Sequence, residues 1–392
     1  MPKPSNSLFA APFWGRGFRP FFFLGSLFNI LSLSIWGAFY AGLNVAPPTF
    51  FLDPVSWHAH EMVYGFSMAI VAGFLLTAVA NWTGGAPVRQ MHLMFLSILW
   101  IAGRIVMGID LGLPTWCIAV IEVSFVPALA LSLAIPLFRS WNKRNFVFLT
   151  LLTMLSVCDA WFFLRGDIVA LHVAIMMILM MVSLIGGRII PAFTVAALRR
   201  RGVMAFQTDQ SKLDMMALLS LLAVTLCLVF ARETPILGIA AALSCIIHGL
   251  RMRHYHTPKT VGEPLLWILH AGYAWLVLGL ALLALVGFRV FDIKAVIHAL
   301  TAGCIGSMIL GMICRVTLGH TGRELKIGNL TALSFYAMQL AAAMRVFGPM
   351  CAPAYTSEWI ISSAVLWTLC FAAYLVIYAG MLFSARPDGQ EV

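Results

Sequence analysis

Charge is scarce in this sequence. Only 10% of its 392 residues are Asp, Glu, Lys or Arg, against 61% hydrophobic, and the mean hydropathy is +0.94. A soluble domain of this length has no use for so much apolar surface, so the composition excludes one and points to an integral membrane protein. Alternating strand patterns are also missing and the connections are short, which favours a helical bundle over a β-barrel. The first apolar run is long enough to span and carries no A-x-A-like site, so a cleavable leader is not expected. The eight cysteines contain no C-x-x-C pair and read as small buried hydrophobes.

What is present is length. A hydrocarbon core about 30 Å thick takes roughly 20 apolar residues per helix. Twelve stretches qualify, with cores near 20–42, 57–80, 88–108, 113–138, 144–165, 167–191, 213–231, 234–253, 263–286, 292–313, 328–347 and 357–384. The expected fold class is an all-α integral membrane protein with twelve transmembrane helices in a single domain. Lys3, Arg16 and Arg19 precede the first stretch. Every second loop after it is basic, with Arg139, Lys143 and Arg144, then Arg199, Arg200, Arg201 and Lys212, then Arg251, Arg253 and Lys259. Only Arg165, Arg232, Arg289 and Lys294 fall on the other side, so both termini are expected to be cytoplasmic. The same bias accounts for the net charge of +10, and no nucleic-acid partner is invoked.

Against this apolar background the segment WHAHEM, residues 57–62, is conspicuous. His58 and His60 lie at the outer end of the second stretch. His172 and His298 lie a few residues inside the outer ends of the sixth and tenth. At 1.5 Å per residue all four fall within roughly 10 Å of the outer boundary. Aligning His60 with His298 also aligns Gly65 with Gly303, Gly73 with Gly311, and Thr83-Gly84 with Thr321-Gly322. The pattern suggests a pseudo-threefold repeat of four helices, about 15–140, 141–255 and 256–384.

An ionisable group inside a bilayer costs about 2–3 kcal/mol or more and marks function by default. A single histidine of this kind is as readily a packing residue. Four at one depth favour ligation of a metal or of haem iron, since imidazole suits iron and copper. On a regular helix His58 and His60 diverge by about 200°, so they cannot both ligate one ion. Either the first turn is irregular or the two do different jobs. Glu61 shares a face with His58, and Tyr64 shares one with His60, which makes them the candidates for catalytic proton transfer or hydrogen bonding. Arg104 lies at a level where it could meet a haem propionate or snorkel. Snorkelling is the favoured reading of Arg188 and Arg315. His270 is a candidate for a second site or a proton path, with packing the plainer reading, and His320 for ordering a loop. Asp159 and Glu122 could carry protons or bond a neighbouring helix.

The strings WHAHEMVYGF, GFLLTAVANWTG, GGRIIPAFT, ILHAGYAWL and HALTAGCIGSMILGMICRVTLGHTGR resemble motifs of the NnrS family, as does FRPFF before the first helix. The resemblance runs from about residue 15 to 380. It implies a bacterial inner-membrane protein of twelve spans that contains haem and copper and is associated with denitrification and nitric oxide resistance. A weaker similarity is architectural. The heme-copper oxidase superfamily has twelve helices in a pseudo-threefold arrangement, with low-spin haem histidines on helices two and ten and a copper ligand on helix six. His60, His298 and His172 fall on the matching helices here. The seventh stretch has no histidine pair and the sixth lacks an H-P-E-V-Y type motif, so a complete binuclear centre is not expected.

These resemblances imply haem b with His60 and His298 as axial ligands and Arg104 nearby. His172 and His58 would complete a second metal site, with copper as the candidate ion, or the distal pocket. Nitric oxide would be the ligand, and quinol or a periplasmic donor would supply electrons if it is reduced. Whether the chain turns nitric oxide over or only binds it stays open. The alternatives are a twelve-helix transporter or metal exporter, against which the off-centre histidines count, and a non-catalytic haem-binding sensor or assembly protein.

Overall fold

The computed structural model describes residues 11–43 and 52–390, apart from the side chain of Ala295. Lys3, counted above among the basic residues, lies outside them. Twelve helices are long and apolar enough to cross a membrane. They are α1 (Phe18–Tyr40), α2 (Pro54–Thr83), α3 (Met91–Gly108), α4 (Thr115–Arg139), α5 (Lys143–Arg165) and α6 (Ile168–Arg200), then α7 (Ser211–Phe230), α8 (Pro235–Tyr255), α9 (Pro264–Gly287), α10 (Val296–His320), α11 (Asn329–Cys351) and α12 (Pro353–Phe383). There is no strand among the described residues. The chain is an all-α multi-pass membrane protein, as its composition predicts.

The chain divides into two compact units. Unit 1 comprises residues 1–171, 313–326 and 371–392, which hold α1–α5 and the C-terminal parts of α10 and α12. Unit 2 comprises residues 172–312 and 327–370, which hold most of α6, then α7–α9, the first part of α10, α11 and the first part of α12.

In unit 1, small residues let α1 and α2 approach closely. A Cβ added to Gly25 would press on Ala69 and Ile70, and one added to Gly73 would press on Phe21 and Phe22. Lipid offers no hydrophobic drive for helix association, so such close van der Waals contact must supply it. The Phe18 amide, one of the unpaired donors of a first turn, donates to Thr77 Oγ1 at 3.0 Å. In unit 2, α9 is the central helix. Its Gly272 and Gly279 receive Met308 and Leu300 of α10. Trp275 lies against Gly303 and donates to Gln339 Oε1 at 2.9 Å, and Gln339 donates on to Ser307 Oγ at 2.8 Å.

α2 and α10 are built alike. Asp53 caps the first helical turn of α2 by accepting from Val55 and Ser56, and Asp292 caps the turn leading into α10 by accepting from Lys294. Each begins as α-helix and ends that section on a histidine, Pro54–His60 and Ile293–His298. Each then widens into a seven-residue π-helical segment, Glu61–Ser67 and Ala299–Ile305, and resumes α-helix. Both finish on Thr-Gly with the glycine left-handed, at φ 64° for Gly84 and 72° for Gly322. π segments are rare and occur disproportionately at functional sites. α6, by contrast, is α-helical throughout.

The Asp53 cap sets the entry of α2. Asp53→Ala is expected to cost about 1 kcal/mol. Burial opposes ionisation of Asp53, but hydrogen bonds from Ser56 and Val55 outweigh it and hold the carboxyl below its usual value. The cap therefore contributes fully above the ordinary aspartate range and is lost as pH falls through the depressed value. Thermal unfolding of wild type and variant should differ at neutral pH and converge in acid.

Candidate functional site

The first turns of α2 deliver two histidines in opposite directions. The helix is regular through His60, and the π segment starts only at Glu61. His58 turns to α1, where its ring stacks on Trp36 with centroids 4.2 Å apart and planes 5° from parallel. His60 turns to α5 and is fully buried. Its Nδ1 lies 3.0 Å from Glu61 Oε1 and its Nε2 lies 3.1 Å from Asp159 Oδ1. Phe162, Phe163 and Tyr64 pack round the ring, with centroids 5.0–5.6 Å away. Trp57 anchors the same turn to α3 by donating to the Met107 carbonyl at 3.2 Å.

The network continues through α3 and α4. Arg104 donates from Nη1 to Glu61 Oε2 at 2.5 Å and from Nη2 to Glu122 Oε1. Its guanidinium also lies over the rings of Phe28 and Trp100. Two glycines make room for this. A Cβ on Gly65 would strike Phe28, Arg104 and Glu61, and one on Gly103 would strike the Glu122 carboxylate. The Gly65 carbonyl, within the π segment, accepts from Trp100 Nε1 at 3.0 Å. Four consecutive helices thus converge on one buried cluster of His60, Glu61, Arg104, Glu122 and Asp159.

The charges do not balance. With His60 protonated and every carboxylate ionised, Glu61, Glu122 and Asp159 face only Arg104 and His60, which leaves one surplus negative charge. Glu122 Oε2 and Asp159 Oδ2 are buried with no hydrogen-bond partner. A buried ionised oxygen in that position is costly unless a proton or a cation joins it. His60, Glu122 and Asp159 each offer a donor atom, all within 4.8 Å of one another. One imidazole nitrogen with two carboxylate oxygens suits a first-row divalent metal ion.

Of the residues singled out from sequence, His60, Glu61 and Arg104 meet directly in this cluster, and Tyr64 flanks it. The Tyr64 hydroxyl donates to the Leu155 carbonyl at 2.9 Å, so its phenol is held by backbone. His58, one turn away on α2, faces Trp36 of α1 and not the cluster. His320 lies near the start of α1, its ring 5.7 Å from that of Phe18. Trp36, which holds His58, is 18 residues further along α1, or about 27 Å at 1.5 Å per residue. Arg315 is buried in unit 1. Glu122 and Asp159, which the sequence offers only as proton carriers or helix-bonding groups, join the cluster through Arg104 and His60.

Unit 2 holds the remaining candidates. His172 is buried near the start of α6. His298 is half-buried, and its Nδ1 donates to the Lys294 carbonyl at 2.7 Å, which leaves Nε2 as the acceptor nitrogen. His270 is held on both sides, by Thr194 at Nε2 and Thr257 at Nδ1, each at 2.9 Å. Arg188 is partly buried. A second polar cluster surrounds Arg251, which donates to Asp214, to the Ser183 carbonyl and hydroxyl, and to the Tyr273 hydroxyl. Ser183 also meets fully buried His248 at 3.1 Å. The guanidinium occupies the space a side chain at Gly187 would fill, which gives the GGR stretch of α6 its role.

No curated protein is significantly similar to the chain. The sequence matches the NnrS protein family over residues 12–386, nearly its whole length. Twelve spans, the motif-bearing α2 and α10, and that match agree: the chain belongs to the NnrS family, membrane proteins linked to nitric oxide.

Proposed function

We propose that this is a haem- and metal-binding protein of the bacterial inner membrane, with both termini cytoplasmic, that handles nitric oxide in nitrosative stress or denitrification. The observation that carries the reading is the buried cluster of His60, Glu122 and Asp159, whose donor atoms lie within 4.8 Å of one another and include two carboxylate oxygens with no partner. In an apolar span such a set fits a small cation, copper being the candidate the family suggests. His60 fits that ion better than a haem face, because Asp159 stands against Nε2, where it would share a small ion with the ring but would block a haem plane. His298 fits haem iron, because Nδ1 is anchored on a backbone carbonyl and the ring tautomer puts the lone pair on Nε2.

Haem or copper, when bound, supplies a centre that coordinates nitric oxide and exchanges an electron. The chain's own residues do the rest. Glu61 fixes the His60 ring through Nδ1, and Arg104 holds both Glu61 and Glu122 in place. Glu122 Oε2 and Asp159 Oδ2 are the positions at which a proton can be held. The aromatic wall of Phe162 and Phe163 keeps water from the histidine.

The test pairs a visible spectrum with metal analysis of purified protein. A Soret band that His298→Ala abolishes or shifts is expected, together with a metal content that His298→Ala leaves in place. Absence of a Soret band from fully loaded protein would overturn the haem assignment. Metal uptake into proteoliposomes by haem-free protein would instead favour the exporter.

A further inference from the structure

One end of unit 1 collects arginines. Arg19, in the first turn of α1, is fully buried. Its Nη1 donates to the carbonyls of Leu382 and Ser384, each at 2.7 Å, and so satisfies acceptors left over at the end of α12. Its Nε and Nη2 are buried with no hydrogen-bond partner, and so is Nε of Arg16. Arg323, just past α10, reaches the hydroxyl of the same Ser384 at 3.3 Å. Arg386 donates to the His320 carbonyl at 3.3 Å. Burial and the nearby charge of Arg386 press the Arg16 guanidinium below its usual pKa.

Four cations converge and one carboxylate answers them. Asp388 pairs with Arg386 at 2.5 Å, a hydrogen bond that pulls its pKa down to about 2. Glu324 is turned outward and pairs with exposed Lys326. Four arginines against one aspartate leave three positive charges in excess, in a place where protein has displaced much of the water. Beside them Phe13 stacks on Phe383 at 4.3 Å and meets Trp14 and Phe23 edge-on. Trp14 is of the type enriched at headgroup level in membrane proteins.

We propose that Arg16, Arg19, Arg323 and Arg386 form a binding site for a phosphate group, carried by an anionic phospholipid or free in solution. Guanidinium forks match phosphate oxygens in pairs, which a lone point charge does not. Arg16 and Arg323 are partly exposed and would touch the anion, while Arg386, whose fork Asp388 already grips, would add charge beside them. Arg19, sealed behind them, would supply field. The aromatic rim favours the lipid as the source. An anion bound there would tie the start of α1 to the ends of α10 and α12 by offsetting the repulsion between their arginines.

The experiment uses full-length protein in neutral detergent. Its thermal unfolding and its retained lipid, read by native mass spectrometry, are followed with phosphatidylglycerol, with phosphatidylcholine, and with inorganic phosphate against chloride at matched ionic strength. Stabilisation and retention specific to phosphatidylglycerol are expected. In the double variant Arg16→Gln/Arg323→Gln its affinity should fall by roughly tenfold or more. The matching Lys variant should lose less, and Arg144→Gln, in another basic loop, should lose nothing. A response to inorganic phosphate that the same double variant abolishes would support the site with soluble phosphate as its ligand. Equal responses to both lipids without a phosphate effect, or undiminished affinity in the Gln variant, would overturn the proposal. Arg16 holds no helix end, so Arg16→Gln alone serves if the double variant does not fold.

Discussion

Arg104→Ala is expected to destabilise the protein by about 3–5 kcal/mol, the usual consequence of removing one partner from a buried ion network. Arg104 is 9% exposed and is the shared counter-ion of Glu61 and Glu122, so its loss leaves two carboxylates facing each other across an apolar site. Lysine would restore the charge but not the fork that reaches both acids, so Arg104→Lys should recover only part of the loss. The triple variant Arg104→Met/Glu61→Gln/Glu122→Gln tests the explanation. It removes the charges together, and on this account its stability should return towards wild type. Thermal unfolding in detergent measures all three. A triple variant as unstable as Arg104→Ala would show that packing around the guanidinium, not charge pairing, dominates.

The second large effect concerns metal content. His60→Ala and Asp159→Asn each remove a donor from the cluster on α2, α4 and α5, and each is expected to lower metal affinity by about 100-fold or more. Glu61→Gln touches the ion only through His60, and the expected loss is the about 10–100-fold typical of an outer hydrogen-bond partner. Competition with a chelator, with metal per chain read by mass spectrometry, ranks the variants. Glu61→Gln should retain the stoichiometry of wild type at saturating metal, whereas Asp159→Asn should not. Unchanged affinity in both His60→Ala and Asp159→Asn would remove this cluster as the metal site.

Part of the site is legible in the sequence. His60, Glu61 and Arg104 stand out in the sequence because an ionisable residue near the end of an apolar span demands an explanation. The divergence of His58 and His60 followed from helix geometry, and the two rings do face different neighbours, Trp36 and Asp159. The carboxylates carry the same depth information as the histidines. Glu122 lies seven residues after Thr115 at the start of α4, and Asp159 six before Arg165 at the end of α5. Consecutive helices alternate in direction, so those counts put both acids level with His60 and Arg104. The π segments after His60 and His298 had no comparable signal, since neither stretch contains proline or an unusual residue.

Composition and run length by themselves determined twelve spans, the all-helical class and the position of each ionisable group along its span. A bilayer is a solvent that permits few backbone solutions, and rise per residue converts position into depth. Rotation about each helix axis was decided only by the tertiary structure. In a soluble helix an apolar stripe reveals the buried face, but here lipid and protein interior are equally apolar and most faces read the same. That Asp159 turns to His60 and Arg104 reaches across to Glu122 depends on side-chain packing at glycines 65 and 103, which close approach between helices selects and a one-dimensional pattern does not record.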